Sequence, residues 1–173
     1  MMKTNEFDGI KIINTKDINL FLPLMQEIVE LEERFLLAML RWCGYGRQRY
    51  KPLKYWQVFI AVKGEVPLGV TGLYQNSDTP AHIGWLGWFG VRPEYRGHGI
   101  GTMMVNFTSQ YAASLNMTEL WVYTDDTNIE ATKFYQNRGF EIVGKAAELF
   151  PDDRYELRNI VMKKLVLPSK AKE

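Results

Sequence analysis

The 173-residue chain carries 21 Lys+Arg against 20 Asp+Glu, a net charge of +1; no strong field draws it to nucleic acid or an anionic membrane. Its 46% hydrophobic and 24% charged content is ordinary for a globular protein, and its length suits one domain over 1–173 with a polar tail from about 167. No apolar run approaches the roughly 20 residues that span a bilayer, the start Met1-Met2-Lys3-Thr4-Asn5-Glu6 lacks a signal-type apolar core, and the single Cys43 excludes an intrachain disulfide and fits a reducing, cytoplasmic setting.

In chain order, Ile10-Lys11-Ile12-Ile13 reads as a first strand, and Thr15 or Asp17 as a helix cap. Leu24, Ile28, Leu31, Phe35, Met39 and Trp42 then recur at steps of three and four, a long amphipathic helical region. It holds Pro23 in its first turn, ends at Gly44-Tyr45-Gly46, and is either one helix or two with a break near Glu32-Glu33. Arg47 to Lys54 is a basic, aromatic connection, solvated or part of a binding surface. Trp56 to Val62 alternates as a strand, turns at Lys63-Gly64-Glu65 and returns as Val66 to Tyr74, a hairpin. After a polar loop, Gln75 to Pro80, a strand runs from about His82 to Val91. A helix from about Gly99 to Leu115 presents Ile100, Met103, Met104, Phe107 and Tyr111 on one face. Leu120 to Thr124 is the next strand; strand, helix and strand make a parallel crossover. Asp125 to Asn128 supplies turn and cap residues for a helix that Gly139 ends. Phe140–Leu149 and Tyr155–Val166 form a closing hairpin around Pro151-Asp152-Asp153. The expected fold is mixed α/β, with a sheet partly antiparallel and partly parallel. His82 and His98 are the only histidines and no Cys/His cluster forms, so no metal is expected.

The stretch Phe89-Gly90-Val91-Arg92-Pro93-Glu94-Tyr95-Arg96-Gly97-His98-Gly99-Ile100-Gly101 joins the apolar strand to the amphipathic helix. At a helix N-terminus, free N–H groups and the positive end of the dipole attract anions, phosphates above all. Glycines there allow positive φ and close backbone approach. A P-loop requires a lysine before its Ser/Thr, whereas Thr102 follows Gly101. The dinucleotide fingerprint requires Gly-x-Gly-x-x-Gly, whereas the spacing here is Gly97-x-Gly99-x-Gly101. The pattern present is Arg96-Gly97-His98-Gly99-Ile100-Gly101 after Val91-x-Pro93. It resembles the cofactor loop of the GNAT family of N-acetyltransferases. The stretch Asn128-Ile129-Glu130-Ala131-Thr132-Lys133-Phe134-Tyr135-Gln136-Asn137-Arg138-Gly139-Phe140 resembles that family's second cofactor motif, in the right order. Asn128, Ala131 and Tyr135 fall on one helix face, and Phe134 and Phe140 read as core anchors. The resemblance in motif covers Phe89 to Phe140.

That resemblance implies a central sheet splayed between two parallel strands, with acetyl-CoA as co-substrate. The pantetheine arm would pair with backbone near Phe89, Gly90 and Val91. The pyrophosphate would meet the N–H groups of Arg96, Gly97, His98, Gly99, Ile100 and Gly101, with the His98 side chain either at a phosphate or facing solvent. Asn128 would hydrogen-bond the arm, Ala131 would leave it room, and Tyr135 would return a proton to the departing thiolate. The acceptor is a small-molecule or peptide amine, and a homodimer is open. The family's usual glutamate before the loop is absent from His82-Ile83-Gly84-Trp85-Leu86-Gly87-Trp88-Phe89, so the base is His82, Asp125, Glu94 or a water relay. Trp42, Tyr45, Trp85 and Trp88 are candidate aromatic walls for the acceptor, with glycines beside the tryptophans leaving space. Glu27, Glu30, Glu32 and Glu33 are candidate amine anchors; ordinary core and a solvated helix face are the plain alternatives. Cys43 is expected to be structural or incidental, since direct transfer needs no covalent enzyme intermediate. An acyl-CoA sensor, or an interaction domain of the same fold, is the rival to the enzyme.

Overall fold

A computed structural model describes residues 9–29, 53–151 and 158–166 of the chain. Strand β1 (Ile10–Thr15) leads into helix α1 (Ile18–Val29); β2 (Leu53–Lys63), β3 (Val66–Asn76) and β4 (Ile83–Val91) follow. Then come α2 (Ile100–Ser114), β5 (Glu119–Asp125), α3 (Ile129–Gln136), β6 (Glu141–Lys145), the single turn α4 (Ala146–Leu149) and β7 (Asn159–Leu165). The strands form one sheet in the order β1-β2-β3-β4-β5-β7-β6. Every neighbouring pair is antiparallel except β4 and β5, which the α2 crossover makes parallel. The mixed α/β expectation holds, and the fold subdivides at that one parallel pair.

Local chemistry sets the element ends. Asp17 caps α1: its carboxylate accepts the Asn19 N–H at 2.9 Å and its carbonyl accepts from Leu20 and Phe21. Asp17 is thus the cap of the two expected, while Pro23 lies inside α1 rather than in its first turn. There Pro23 is exposed, so the hydrogen bond it cannot donate is lost on the solvent side. Leu31, Phe35, Met39 and Trp42, the Gly44-Tyr45-Gly46 stop, most of the Arg47–Lys54 connection, Cys43 and the 167–173 tail lie outside the described residues. Leu53 and Lys54, expected in that connection, belong to β2.

Two faces of the sheet are covered. On one, Phe59, Leu73, Leu86, Leu120, Val122 and Met162 pack under α2 and α3. The buried side of α2 is Ile100, Met104, Val105, Thr108 and Ala112. Met103, Phe107 and Tyr111, expected on the same face, are partly buried and pack against the edge of this core. On the other face Phe21, Leu24, Met25 and Ile28 of α1 cover Val58, Ile60 and Val70, and Tyr74, Trp85, Ala146 and Val161 gather beneath α4. The closing hairpin is shorter than expected. Its first strand stops at Lys145, and Ala146–Leu149 turns back as α4 with a fully buried Ala146, so packing onto the sheet ends the extended run. Pro151 follows α4, and residues 152–157 lie outside the described set.

Candidate functional site

The parallel pair carries the feature that positions everything else. β4 and β5 pair only at Ile83–Glu119, Gly84–Leu120 and Trp85–Trp121. β4 nevertheless continues to Val91 and β5 to Asp125, so the two strands part after Trp85. On the other side β4 stays paired with β3 through Val91. A bulge helps it do so. Val70 faces Gly90 and Gly72 faces Gly87, leaving Thr71 opposite both Trp88 and Phe89. Trp88 takes φ 54°, a sparsely populated conformation for a bulky residue. The extra residue restores the alternation so that Phe89 and Val91 face α2 and α3 while Trp88 faces α1.

In the parting lies a cavity of about 500 Å³. Phe89, Gly90 and Val91 form its strand wall, Arg96, Gly97, Gly99, Ile100 and Gly101 its loop wall, and Asn128, Ala131 and Tyr135 its α3 wall. Eleven of the twelve residues singled out in the sequence thus line one space, with His98 the exception. Its ring Nδ1 lies 2.9 Å from the Arg96 carbonyl and the side chain is exposed. Five lining residues were not expected there: Tyr95, Thr102, Glu130, Phe134 and Arg138. Phe134 is a half-buried wall residue rather than a core anchor; its ring lies 5.2 Å from that of Phe89. Phe140, 3% exposed, is core as expected.

The loop is built to turn N–H groups into this space. Pro93–Tyr95 forms one 3-10 turn, closed by Tyr95 N–H to Arg92 and Arg96 N–H to Pro93. The Arg96 N–H is therefore already used, and the free donors begin one residue later than expected. Gly97 and Gly99 both take φ +79°, where an L side chain would be strained, and Gly99 caps α2. Among the described residues no acceptor takes the N–H groups of Gly97 to Thr102. The Arg96 side chain folds back, its Nε donating to the Val91 carbonyl at 3.0 Å, which pins the loop to the end of β4. Across the cavity Asn128 caps α3, its amide oxygen accepting the Ala131 N–H at 3.0 Å, so its NH₂ group is what remains to donate. Tyr135, 6% exposed, stands among Phe89, Phe134 and Phe140. Burial pushes its phenol well above the ordinary value, so it stays protonated across the physiological range.

None of the three side chains considered as a base lines the cavity. His82 is exposed before the far end of β4, ~30 Å along the strand from Val91 at the usual rise. Asp125 accepts from the Thr127 hydroxyl at 2.6 Å and the Thr127 N–H at 2.8 Å. These bonds hold its carboxyl below the usual range, with Arg158 adding to the effect; it is a turn-forming anion and a weakened base. Glu94 is 57% exposed and lies 3.8 Å from Arg92.

The acceptor expectations fare differently. Glu27 is held by Arg92 through contacts of 2.5 and 2.7 Å, tying α1 to the start of the glycine loop rather than offering a free carboxylate. Trp85 is 4% exposed, and the spaces beside the tryptophans are filled. A Cβ on Gly87 would lie 2.7 Å from the Tyr74 ring, and one on Gly72 would lie 2.3 Å from the Trp88 ring. Trp42, Tyr45, Glu30, Glu32 and Glu33 lie outside the described residues. Among the described residues no group of three or more His, Cys, Asp or Glu gathers to hold a metal, and no helix is long and apolar enough to cross a membrane.

The family model for the acetyltransferase (GNAT) family matches residues 23–140. Solved structures share the fold. An acetyltransferase from Streptococcus agalactiae 2603 superposes with a TM-score of 0.67 at 18% identity, over 92% of this chain and 99% of that one. A GNAT family acetyltransferase from Elizabethkingia anophelis, with acetyl-CoA bound, gives 0.65 at 16% identity over 92% and 99%. The IAA acetyltransferase from Bacillus cereus ATCC 14579 gives 0.64 at 16% identity over 90% and 99%. No curated protein matches the sequence significantly. With its parted parallel strands, its glycine-rich helix cap and a family match that takes in both, this chain belongs to the GNAT acetyltransferase family.

Proposed function

We propose that the protein transfers the acetyl group of acetyl-CoA directly to a primary amine. The observation that supports this most is the gap after Trp85 and Trp121, floored by the unused N–H groups from Gly97 to Thr102. Main-chain groups that a continuous sheet would occupy face a cavity whose other end is a ready anion site. In this reading the thioester arm lies along β4 from Phe89 to Val91, and the phosphates lie at the α2 N-terminus. The Asn128 NH₂ donates to the arm, and Ala131 keeps the passage open.

The chemistry follows from these groups. A lysine-type amine has a pKa of about 10.4, so only about one in 2,500 is neutral at pH 7. Its proton passes to water, since His82, Asp125 and Glu94 lie outside the cavity and Glu130, the one carboxylate residue lining it, is exposed at the start of α3. The amine nitrogen bonds to the thioester carbon, and a β4 N–H donates to the oxygen as charge develops there. The C–S bond then breaks. Tyr135 donates toward the departing sulfur. Its raised pKa makes it a weaker acid than an ordinary thiol, whose pKa is about 8.5. It therefore acts by a hydrogen bond to the developing thiolate, with full transfer only as another proton replaces its own.

Thiol release from acetyl-CoA with a panel of amines tests the proposal: release dependent on one amine class supports it, and release with none in a protein that binds CoA removes it. The lack of a cavity-facing base among the three candidates favours one second reading, a non-catalytic acyl-CoA sensor, which that last outcome would support. A homodimer through an outer strand, β1 or β6, belongs to the same proposal; sedimentation showing monomer alone at high concentration removes it.

A further inference from the structure

Arg138 follows α3 in the turn that Gly139 closes, yet its side chain runs back to the first turn of α2. Its Nε donates to the Thr102 hydroxyl oxygen at 3.1 Å, and Nη2 donates to the same oxygen. Nη1 donates to the Phe134 carbonyl at 2.6 Å. The guanidinium carbon sits 3.5 Å over the Phe134 ring. Three of its five N–H groups are used and two remain, and the residue lines the cavity. Stacking and hydrogen bonds hold the planar group in one orientation, so little side-chain entropy is left to lose when a ligand arrives.

The guanidinium bridges two helix ends: the Phe134 carbonyl in the last turn of α3, together with the Phe134 ring, suits a cation, while the α2 end does not. Thr102 is the third residue of α2, at the helix end that carries the positive partial charge and favours anions over cations. Among the described residues no carboxylate pairs with Arg138. A fixed cation that lines the cavity beside the unused N–H groups of the α2 N-terminus is placed to share an anion with them. We propose that Arg138, aimed by Thr102 and Phe134, is a phosphate-binding residue of the cavity, reading the phosphoanhydride of the acyl carrier together with the first N–H groups of α2. This rests on the acyl-CoA reading above and adds a residue outside the glycine loop. One N–H remains on each of Nη1 and Nη2, and a guanidinium pairs well with phosphate oxygens.

The test is calorimetric binding of CoA, 3′-dephospho-CoA and pantetheine to the parent protein, Arg138→Met and Arg138→Lys. Methionine keeps a chain that can lie on Phe134 and removes the guanidinium. The expected result is a loss of roughly 10- to 100-fold for CoA and for 3′-dephospho-CoA alike, the worth of a charge-assisted hydrogen bond. Pantetheine, which has no phosphate, should bind as before. The salt dependence of CoA binding should become shallower, and lysine should recover part of the loss. An unchanged CoA affinity overturns the proposal. So does an equal loss for pantetheine, which would mean damage to the cavity, or a loss for CoA alone, which would move Arg138 to the 3′-phosphate. If the parent protein binds none of the three, the acyl-CoA reading fails. Inorganic pyrophosphate then decides Arg138 separately: binding that Arg138→Met abolishes sustains the anion site, and no binding ends it. Should Arg138→Met not fold, Thr102→Val carries the same comparison, with a smaller phosphate-selective loss expected and its absence overturning the assignment.

Discussion

The parted edge of β4 and its α1 face differ in what they are made of. At the edge that β5 leaves, the strand offers backbone: Phe89, Gly90 and Val91 border the gap, and the glycine loop extends it as a row of N–H groups. Toward α1 and α4 it offers rings. Trp85 packs against Trp121 and Phe150, with centroids 5.5 and 5.7 Å away, and Trp88 stacks on Tyr74 at 5.5 Å. The edge is open to the cavity, and the α1 face is filled and apolar. The difference teaches that the cavity side of this strand is defined by groups every residue has, placed by unusual backbone. The opposite side is defined by which rings are present.

Four substitutions break or sharpen that contrast. Tyr135→Phe keeps the ring among Phe89, Phe134 and Phe140 and removes one hydroxyl. With an acceptor for which chemistry limits turnover, kcat should fall by about 10²–10³-fold, the worth of one donor to developing charge, while cofactor affinity hardly changes. A kcat within about threefold of the parent at saturating cofactor takes Tyr135 out of the reaction. Trp88→Ala attacks the α1 face. It removes a half-buried ring from Gly72 and Tyr74, and thermal unfolding should show about 2–3 kcal/mol less stability, below the 3–5 of a fully buried ring. CoA affinity should stay close to the parent value. A parallel loss of affinity would show that the bulge, and not only the ring, depends on Trp88.

Gly99→Val places a β-branched side chain at φ +79°, with no neighbour within 4 Å of the new Cβ. The cost is therefore backbone strain, about 1–2 kcal/mol, and the loop should relax away from its anion-binding form. Calorimetry should show CoA bound at least about tenfold more weakly in a protein that remains folded; equal affinity would mean that the loop is not the phosphate site. The smallest effect belongs to Asp125→Asn. The native carboxyl titrates below its unfolded value, so its contribution to stability is present above about pH 4, the unfolded pKa, and disappears as pH falls through the lower folded value. The asparagine variant should lose that acid-side dependence in a pH series of unfolding midpoints. It should leave the neutral-pH limb of the rate profile in place; a shifted limb would restore Asp125 as the base.

These contrasts also mark what was legible beforehand. The loop was, because a glycine with positive φ, a proline and a helix cap act within a few residues of one another. The α3 wall was, because Asn128, Ala131 and Tyr135 are related by helical periodicity alone. The acceptor face was not: the glycines beside Trp85 and Trp88 read as spaces, but Leu73 and Met117 fill the one at Gly84 and Tyr74 the one at Gly87. Those contacts run across strands, and no local pattern announces them. Glu27 was equally opaque, since its partner Arg92 lies 65 residues away.

By itself the sequence determined the order of the described strands and helices apart from α4, the strand–loop–helix unit that turns N–H groups outward, and a family whose two motifs lie between Phe89 and Phe140. Local steric and hydrogen-bonding rules are enough for that. Tertiary structure alone decided where β4 and β5 part, because that depends on β4 keeping β3 as its partner while β5 follows β7. It also decided which way Trp88 points, since one bulged residue reverses the alternation of every side chain beyond it. And it brought Arg138 to Thr102, 36 residues away in the chain, because the packing of α3 beside α2 joins two side chains whose sequence positions carry no sign of each other.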